Sequence, residues 1–211
     1  MFISFEGTEG VGKTTLINRV EQWLQTQQQP YLRTREPGGT PLAEQIRALL
    51  LTPQTEPMAA DCELLLLFAA RAQHVQQKIM PALDAGQWVL CDRFIDASFA
   101  YQAAGRGITS AKIQQLVDMF VPVLPQYTFW LDAPVEIGLQ RAQQRGQLDR
   151  FEQEKVEFFQ KVRSCYQQRA AAEPARFVLL DATQSADQVW QMAEQFLLAH
   201  AAKPDKSINL A

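Results

Sequence analysis

Gly7-Thr8-Glu9-Gly10-Val11-Gly12-Lys13-Thr14 follows directly on the apolar run Phe2-Ile3-Ser4-Phe5 and matches the phosphate-loop pattern G-x-x-x-x-G-K-[ST]. The β-rich run before it and the amphipathic stretch after it supply the strand and helix that the pattern requires. In that stretch Leu16, Ile17, Val20, Trp23 and Leu24 fall on one helical face. Gly7, Gly10 and Gly12 let the backbone N–H groups of Thr8, Glu9, Val11 and their neighbours turn inward around phosphate oxygens, and the following helix start adds its positive dipole end. Lys13 is expected to reach the terminal phosphates, Thr14 to offer its hydroxyl to Mg²⁺, and Thr15 to complete the anion-binding set. A plain glycine turn capped by Thr14 or Thr15 is the simpler alternative, and the flanking strand and helix argue against it.

Working outward, the elements alternate. Tyr31–Thr34 reads as a second strand, and Glu36-Pro37-Gly38-Gly39-Thr40-Pro41 as a turn that opens a helix over Leu42–Leu51. Pro53 and Pro57 break that helix. A long one is expected over Ala59–Ala85, kinked near Pro81 and ending at Gly86. Trp88–Cys91, Tyr127–Leu131 and Phe177–Leu180 read as three more strands. Ile113, Leu116, Val117 and Phe120 mark a helix, and Val135–Arg145, Gln153–Ala171 and Ala186–Ala199 are expected to form the others. Strands interleaved with helices predict an α/β fold, a five-stranded parallel sheet flanked by helices on both faces.

The chain has 211 residues, 47% of them hydrophobic, enough for one domain over 1–211 with small excursions. A net charge of −3 argues against a nucleic-acid partner, and no apolar stretch approaches a membrane span, the longest being Leu64–Ala70. Cys62, Cys91 and Cys165 lack metal-ligand spacing and point to free thiols in a reducing cytoplasm, with Cys91 packed inside its strand. The tail 203–211 has little to bury and is expected to fray.

Parallel sheets collect ligands at the carboxyl ends of their strands, so the residues just past each strand carry the chemistry. They are the phosphate loop, Arg35-Glu36, Asp92-Arg93 and Asp132. Asp92, ending an apolar strand near a phosphate loop, suits Mg²⁺ or a Mg²⁺-bound water, the alternatives being a helix cap or an ion pair with Arg93. Asp132, before Ala133-Pro134, reads as a helix cap. Arg141 and Arg145 stand four apart on one helix face, where they repel unless something anionic lies between them. The phosphate loop contains no arginine, while phosphoryl transfer needs positive charge on the migrating group. A short lid over roughly 141–152, ending its helix at Gly146, would bring that charge and exclude water. A solvated helix paired with glutamates such as Glu152 is the competing reading.

Four ordered segments extend the pattern: Phe2-Ile3-Ser4-Phe5-Glu6-Gly7, Thr34-Arg35-Glu36-Pro37-Gly38-Gly39-Thr40, Asp92-Arg93-Phe94 and Ala100-Tyr101-Gln102-Ala103-Ala104-Gly105-Arg106-Gly107. Together they resemble the bacterial thymidylate kinase family, a branch of the P-loop nucleoside monophosphate kinases, from Met1 to about Ala199. The resemblance implies a homodimer that moves the γ-phosphate of Mg-ATP to dTMP. It also implies residue roles. Glu9 faces the 3′-hydroxyl of the acceptor sugar. Arg47, Arg93 and Arg35 grip the acceptor phosphate, with Glu36 ordering them. Arg71 donates to thymine O4, Ser98 and Gln102 border the base, and Tyr101 crowds out a 2′-hydroxyl. Arg141, Arg145 and Arg150 are the lid arginines, catalytic beside Lys13 and Arg93.

Two departures from the resemblance stand out. The family commonly stacks an aromatic on thymine where this chain has Leu67, with Phe68 adjacent; either residue meets the base on this reading, unless Phe68 is simply part of the core. Pro125-Gln126 lacks an acidic residue often found there, with no catalytic consequence expected. A GTPase switch would want an Asn-Lys-x-Asp tetrapeptide, and the chain has none. A kinase for another nucleoside monophosphate or for deoxynucleosides is the runner-up, and an ATP-dependent binding module would have no use for a second array of arginines.

Overall fold

The structure, a computed structural model, describes residues 1–53, 55–145, 150–151 and 153–201, with 145 and 201 described for their backbone only. Residues 146–149 and 152 of the expected lid, the side chain of Arg145 and the tail 203–211 therefore lie outside the described residues.

Five strands, β1 (Phe2–Glu6), β2 (Tyr31–Arg35), β3 (Trp88–Asp92), β4 (Tyr127–Asp132) and β5 (Phe177–Asp181), form one sheet in the order β2-β3-β1-β4-β5. Every pairing is parallel. Each strand runs one polar residue beyond the stretch expected from sequence: Glu6, Arg35, Asp92, Asp132 and Asp181. The ladder explains this, since Arg35 pairs with Asp92 and Asp132 with Asp181 in register, so hydrogen bonding continues where hydrophobicity stops. β1 is buried at every position and lies between β3 and β4. Its polar members are satisfied inside, with Ser4 Oγ 2.9 Å from Thr128 Oγ1.

Alternation along β1 serves two cores. Ile3 and Phe5 pack with Leu16, Leu24, Phe129 and Leu197 under α1 (Lys13–Thr26) and α9 (Ala186–Ala201). Phe2 points the other way, into Leu64, Phe68, Ile79, Cys91, Ile113 and Val117. The elements on that side are α3 (Ala60–His74), α4 (Met80–Asp84) and α6 (Ser110–Phe120). Cys91 is packed as expected, and burial pushes its thiol up. A third cluster joins Trp130, Phe159, Val162 and Tyr166 beneath α8 (Val156–Ala172). Among the described residues no helix is long and apolar enough to cross a membrane.

The structure revises three local expectations. The long helix is continuous in path, but Val75–Ile79 winds as a π-turn between α3 and α4, with the Met80 N–H bonding to Val75 O. Pro81 supplies the reason: it has no N–H to donate, and a widened turn just before it re-pairs the backbone. Residues 95–105, given no element from sequence, are helical, as α5 (Ile95–Ser98) and a π-segment, Phe99–Gly105. Ile95, Phe99 and Ala103 recur every four residues and enter the second core. Asp132 does not cap a helix. Its carboxylate takes two bonds from Arg163 of α8, at 2.7 and 2.9 Å, and α7 (Val135–Arg145) starts beyond Pro134, whose carbonyl accepts from Ile137 and Gly138.

β1 and β4 are neighbours whose outgoing connections leave in opposite directions, toward β2 and β5 respectively. A crevice opens at such a point, and the phosphate loop emerges into it.

Candidate active site

A cleft of about 660 Å³ runs from the phosphate loop across the carboxyl ends of β2 and β3 to α3 and the Phe99–Gly105 segment. Glu9, Gly10, Val11, Gly12, Lys13, Thr14 and Thr15 form one end. Arg35, Glu36, Arg47, Leu67, Arg71, Asp92, Arg93, Ser98, Tyr101 and Gln102 lie along the rest, and Arg141 of α7 also lines it. Gly7 and Thr8 lie behind this wall and act through their carbonyls. Lys13 Nζ donates to Gly7 O at 3.1 Å and to Thr8 O at 2.8 Å, and burial lowers the pKa of this lysine.

Glu9 is the hub between the two halves. Its Oε1 accepts from Arg93 Nη2 at 2.6 Å and from the Tyr101 hydroxyl at 2.8 Å. Burial alone would raise its carboxyl, but Arg93, Lys13 and the Tyr101 hydroxyl outweigh it and hold the pKa at about 2. Arg93 also donates to Gly7 O at 2.9 Å and lies over the Tyr101 ring, 4.8 Å from its centroid. It does so from a left-handed backbone, φ 68°, immediately after β3. That turn is fastened by Glu6, which accepts from the Phe94 N–H and the Tyr166 hydroxyl, both at 2.7 Å.

Arg71 enters from α3 and is 3% exposed. It donates to Glu36 Oε2 at 2.6 Å, Ser98 Oγ at 3.0 Å and Phe94 O at 3.2 Å. Three of its five guanidinium N–H groups are thereby engaged, leaving two for a ligand. Glu36 is held from its other oxygen by His74 Nδ1 at 3.0 Å. Between the two adjacent candidates the helix register decides: Leu67 faces the cleft, while Phe68 is buried in the core with Arg71 stacked 4.7 Å above its ring.

Arg35 pairs with Glu44 at 2.9 Å on an exposed edge, and Arg47 donates to Pro37 O at 2.8 Å. Arg141 donates to Ala182 O at 3.0 Å. Arg150 is not on the cleft wall: its Nε bonds Leu50 O and its Nη2 bonds Glu63 Oε2, each at 2.7 Å. Sequence reasoning missed Phe151, which does line the cleft, edge-on to Tyr101 with centroids 6.1 Å apart. It also missed a second cleft of about 360 Å³ on the other side of the loop, between Gly10–Gly12, Arg19, Arg141 and the Ala182–Ala186 turn after β5. The position of that turn past a strand end was the available signal. Gln126 accepts from the Phe2 N–H at 3.1 Å, beside the start of β1, away from the cleft.

A family model described as thymidylate kinase matches residues 5–193. A thymidylate kinase of Acinetobacter baumannii (strain AYE) is 60% identical over 198 residues, covering 93% of this chain and 100% of that protein. One from Psychrobacter sp. (strain PRwf-1) is 52% identical over 204 residues, covering 93% and 98%. The crystal structure of thymidylate kinase from Ehrlichia chaffeensis superposes with a TM-score of 0.78 at 32% identity, over 93% of this chain and 98% of that one. The five-stranded parallel sheet, the loop at its crevice and these matches along nearly the whole length agree: the chain belongs to the thymidylate kinase family.

Proposed function

We propose that this protein transfers the γ-phosphate of ATP to dTMP, giving dTDP. One observation carries the reading beyond family membership. The phosphate loop opens into a single cleft that also holds Arg35, Arg47, Arg71 and Arg93, so two anionic substrates meet there. The ATP phosphates lie on the Gly10–Thr15 backbone, and the nucleoside end extends into the adjoining cleft beside Arg19 and the Ala182–Ala186 turn. The acceptor phosphate is drawn by Arg93, Arg47 and Arg35, and the base meets Leu67, Arg71, Ser98 and Gln102.

Lys13 leaves the Gly7 and Thr8 carbonyls to place a point charge on the transferring group. Glu9, ionised and acceptor-only, takes a bond from the sugar hydroxyl while Arg93 keeps it fixed. Arg141 and Arg145 close from α7, supply the positive charge that the loop lacks and exclude water.

The residues fit Mg²⁺. Asp92 Oδ1 is buried and has no hydrogen-bond partner among the described residues. An orphaned buried carboxylate oxygen at a strand end, on a cleft that Thr14 also lines, is what a hard cation or its water would satisfy. Among the described residues no set of three His, Cys, Asp or Glu would hold a metal alone, in keeping with an ion held mainly by phosphates and water. Thr14 and Asp92 would hold it, and its chemistry there is neutralisation of phosphate charge.

The reading extends to a homodimer and to the cytoplasm. Leu65 of α3 and Met119 and Phe120 of α6 are exposed, at 58%, 70% and 43%, and the α3–α6 side supplies an apolar face for a second copy. Three free cysteines suit a reducing compartment. An ADP-release assay across nucleoside monophosphates tests the substrate. dTMP-dependent release supports the reading, and equal rates with other monophosphates or with deoxynucleosides favour the runner-up kinase.

A further inference from the structure

Glu63 opens α3 as its fourth residue and is 1% exposed. A carboxylate in a first helical turn ordinarily complements the helix dipole from solvent, as Asp61 does here while paired with Lys112. Glu63 is buried instead and shared three ways. Its Oε1 accepts from Gln102 Nε2 at 2.9 Å and Arg106 Nε at 3.3 Å, and its Oε2 from Arg150 Nη2 at 2.7 Å. Glu154 takes the other side of Arg106 at 2.6 Å, so two guanidiniums are balanced by two carboxylates.

These partners come from different parts of the machine. Gln102 lines the acceptor end of the cleft, while Arg150, Phe151 and Glu154 belong to the segment that returns from the lid. Phe151 is gripped between cations, with Arg150 at 4.4 Å and Arg106 at 5.8 Å from its centroid, and meets the edge of Tyr101. Tyr101 in turn donates to Glu9. Contact therefore runs unbroken from Glu63 to the hub carboxylate.

We propose that Glu63 is a positioning residue for the transfer reaction, holding Gln102 of the acceptor wall and Arg150 of the lid on one carboxylate so that Phe151 closes the cleft against Tyr101. This rests on the reading of the cleft as the acceptor site. Losing the shared anion leaves Arg150 and Arg106 facing each other with one carboxylate, and the closing segment lifts. The consequence is imperfect alignment together with entry of water as a competing acceptor.

The test compares wild type, Glu63→Gln, Arg150→Met and the double variant by kcat, KM for dTMP, thermal midpoint and the ratio of ADP released to dTDP formed. Glu63→Gln retains size and an acceptor for Gln102 but removes the charge. Its kcat is expected to fall on the order of tenfold, the ratio to rise above equality, and the double variant to be no worse than the poorer single one. A wild type that turns over no dTMP refutes the acceptor reading and this proposal with it. A wild type that turns over dTMP, beside a Glu63→Gln variant that changes only the thermal midpoint, overturns this proposal alone. Should Glu63→Gln fail to fold, Arg150→Met decides, because Glu63 keeps Arg106; an unchanged kcat and ratio there overturn the assignment.

Discussion

Gly138→Ala is the substitution whose outcome the geometry constrains most tightly. Gly138 lies inside α7, where alanine is favoured over glycine by about 1 kcal/mol on helix propensity. Sterically the site is closed. A Cβ at Gly138 would stand 2.4 Å from the Glu9 carbonyl oxygen, and one at Gly10 would stand 1.9 Å from the Gly138 carbonyl oxygen. Helix and phosphate loop thus touch backbone to backbone, and ordinary contact, which begins at 3.4 Å, requires α7 to retreat by about 1 Å. Arg141 sits one turn further along the same face and moves with it. A displacement of that size costs on the order of 10²-fold in kcat, while the propensity gain offsets part of the strain and keeps the thermal midpoint near wild type. KM for dTMP should hold, because the nearest atoms to a Cβ at Gly138 belong to Glu9 and Thr8 of the loop and not to α3, β3 or the Phe99–Gly105 wall. Steady-state kinetics on Gly138→Ala, Arg141→Ala and the pair provide the assay, and the effect of Gly138→Ala should shrink once Arg141 is gone. A kcat within about twofold of wild type would refute the argument that this crossing sets the lid.

Four further outcomes are expected. Lys13→Ala should abolish transfer with the fold retained, and near-normal turnover at saturating ATP would contradict the point-charge role. Arg145→Ala should lower kcat on the order of 10³-fold or more with little change in KM for dTMP; a change confined to the thermal midpoint would remove it from the lid. If its two remaining N–H groups read the base as proposed, Arg71 should favour dTMP over dCMP by on the order of 10⁴ in kcat/KM, a preference that Arg71→Ala should erase. Stability should respond to two carboxylates with opposite sign. The depressed Glu9, at about 2, adds stability that is lost as pH falls from the ordinary glutamate value toward 2. Glu6, raised by burial and by Asp96 to about 7, adds stability that is lost as pH climbs from 4.5 through 7. Glu6→Gln should flatten the slope of the thermal midpoint over that upper window, and an unchanged slope would show that Glu6 does not titrate there.

The sheet, the phosphate loop and the ends of its strands were legible in sequence because each is a local signal: an apolar run, a glycine spacing, a charged residue just beyond. Ile95, Phe99 and Ala103, four residues apart, carry an equally local helical signal over 95–105. Other features are tertiary and leave no local trace. The choice of Leu67 over Phe68 depends on how α3 rotates against the second core, where Arg71 claims the Phe68 ring. Arg150 reads as one more lid cation until Glu63, 87 positions earlier in the chain, is seen to hold it. Asp132 looked like a cap because Pro134 follows it, and α8 had to be in place before Arg163 could claim it.

The cations of the cleft are stored in two ways, and the difference decides which of them an incoming phosphate can recruit. Arg35 and Glu44 are 53% and 40% exposed, and an ion pair of that kind is worth about 0–1 kcal/mol. Arg35 can therefore abandon Glu44 for a dianionic phosphate at little cost. Arg71 with Glu36 is buried, at 3% with 3%, and separating such partners costs about 3–5 kcal/mol, while Arg93 with Glu9 is partly buried, at 16% with 15%, and is pinned further by the Gly7 carbonyl and the Tyr101 hydroxyl. They cannot be traded for a ligand. They can only add one, through donors pointing away from their carboxylates, as Arg71 does with the two N–H groups left after Glu36, Ser98 and Phe94. Their carboxylates hold these guanidiniums in place before substrate arrives, so little reorganisation is left for the moment of transfer. The mobile charge is left to Arg35, Lys13 and, on the proposed reading, the arginines of the lid.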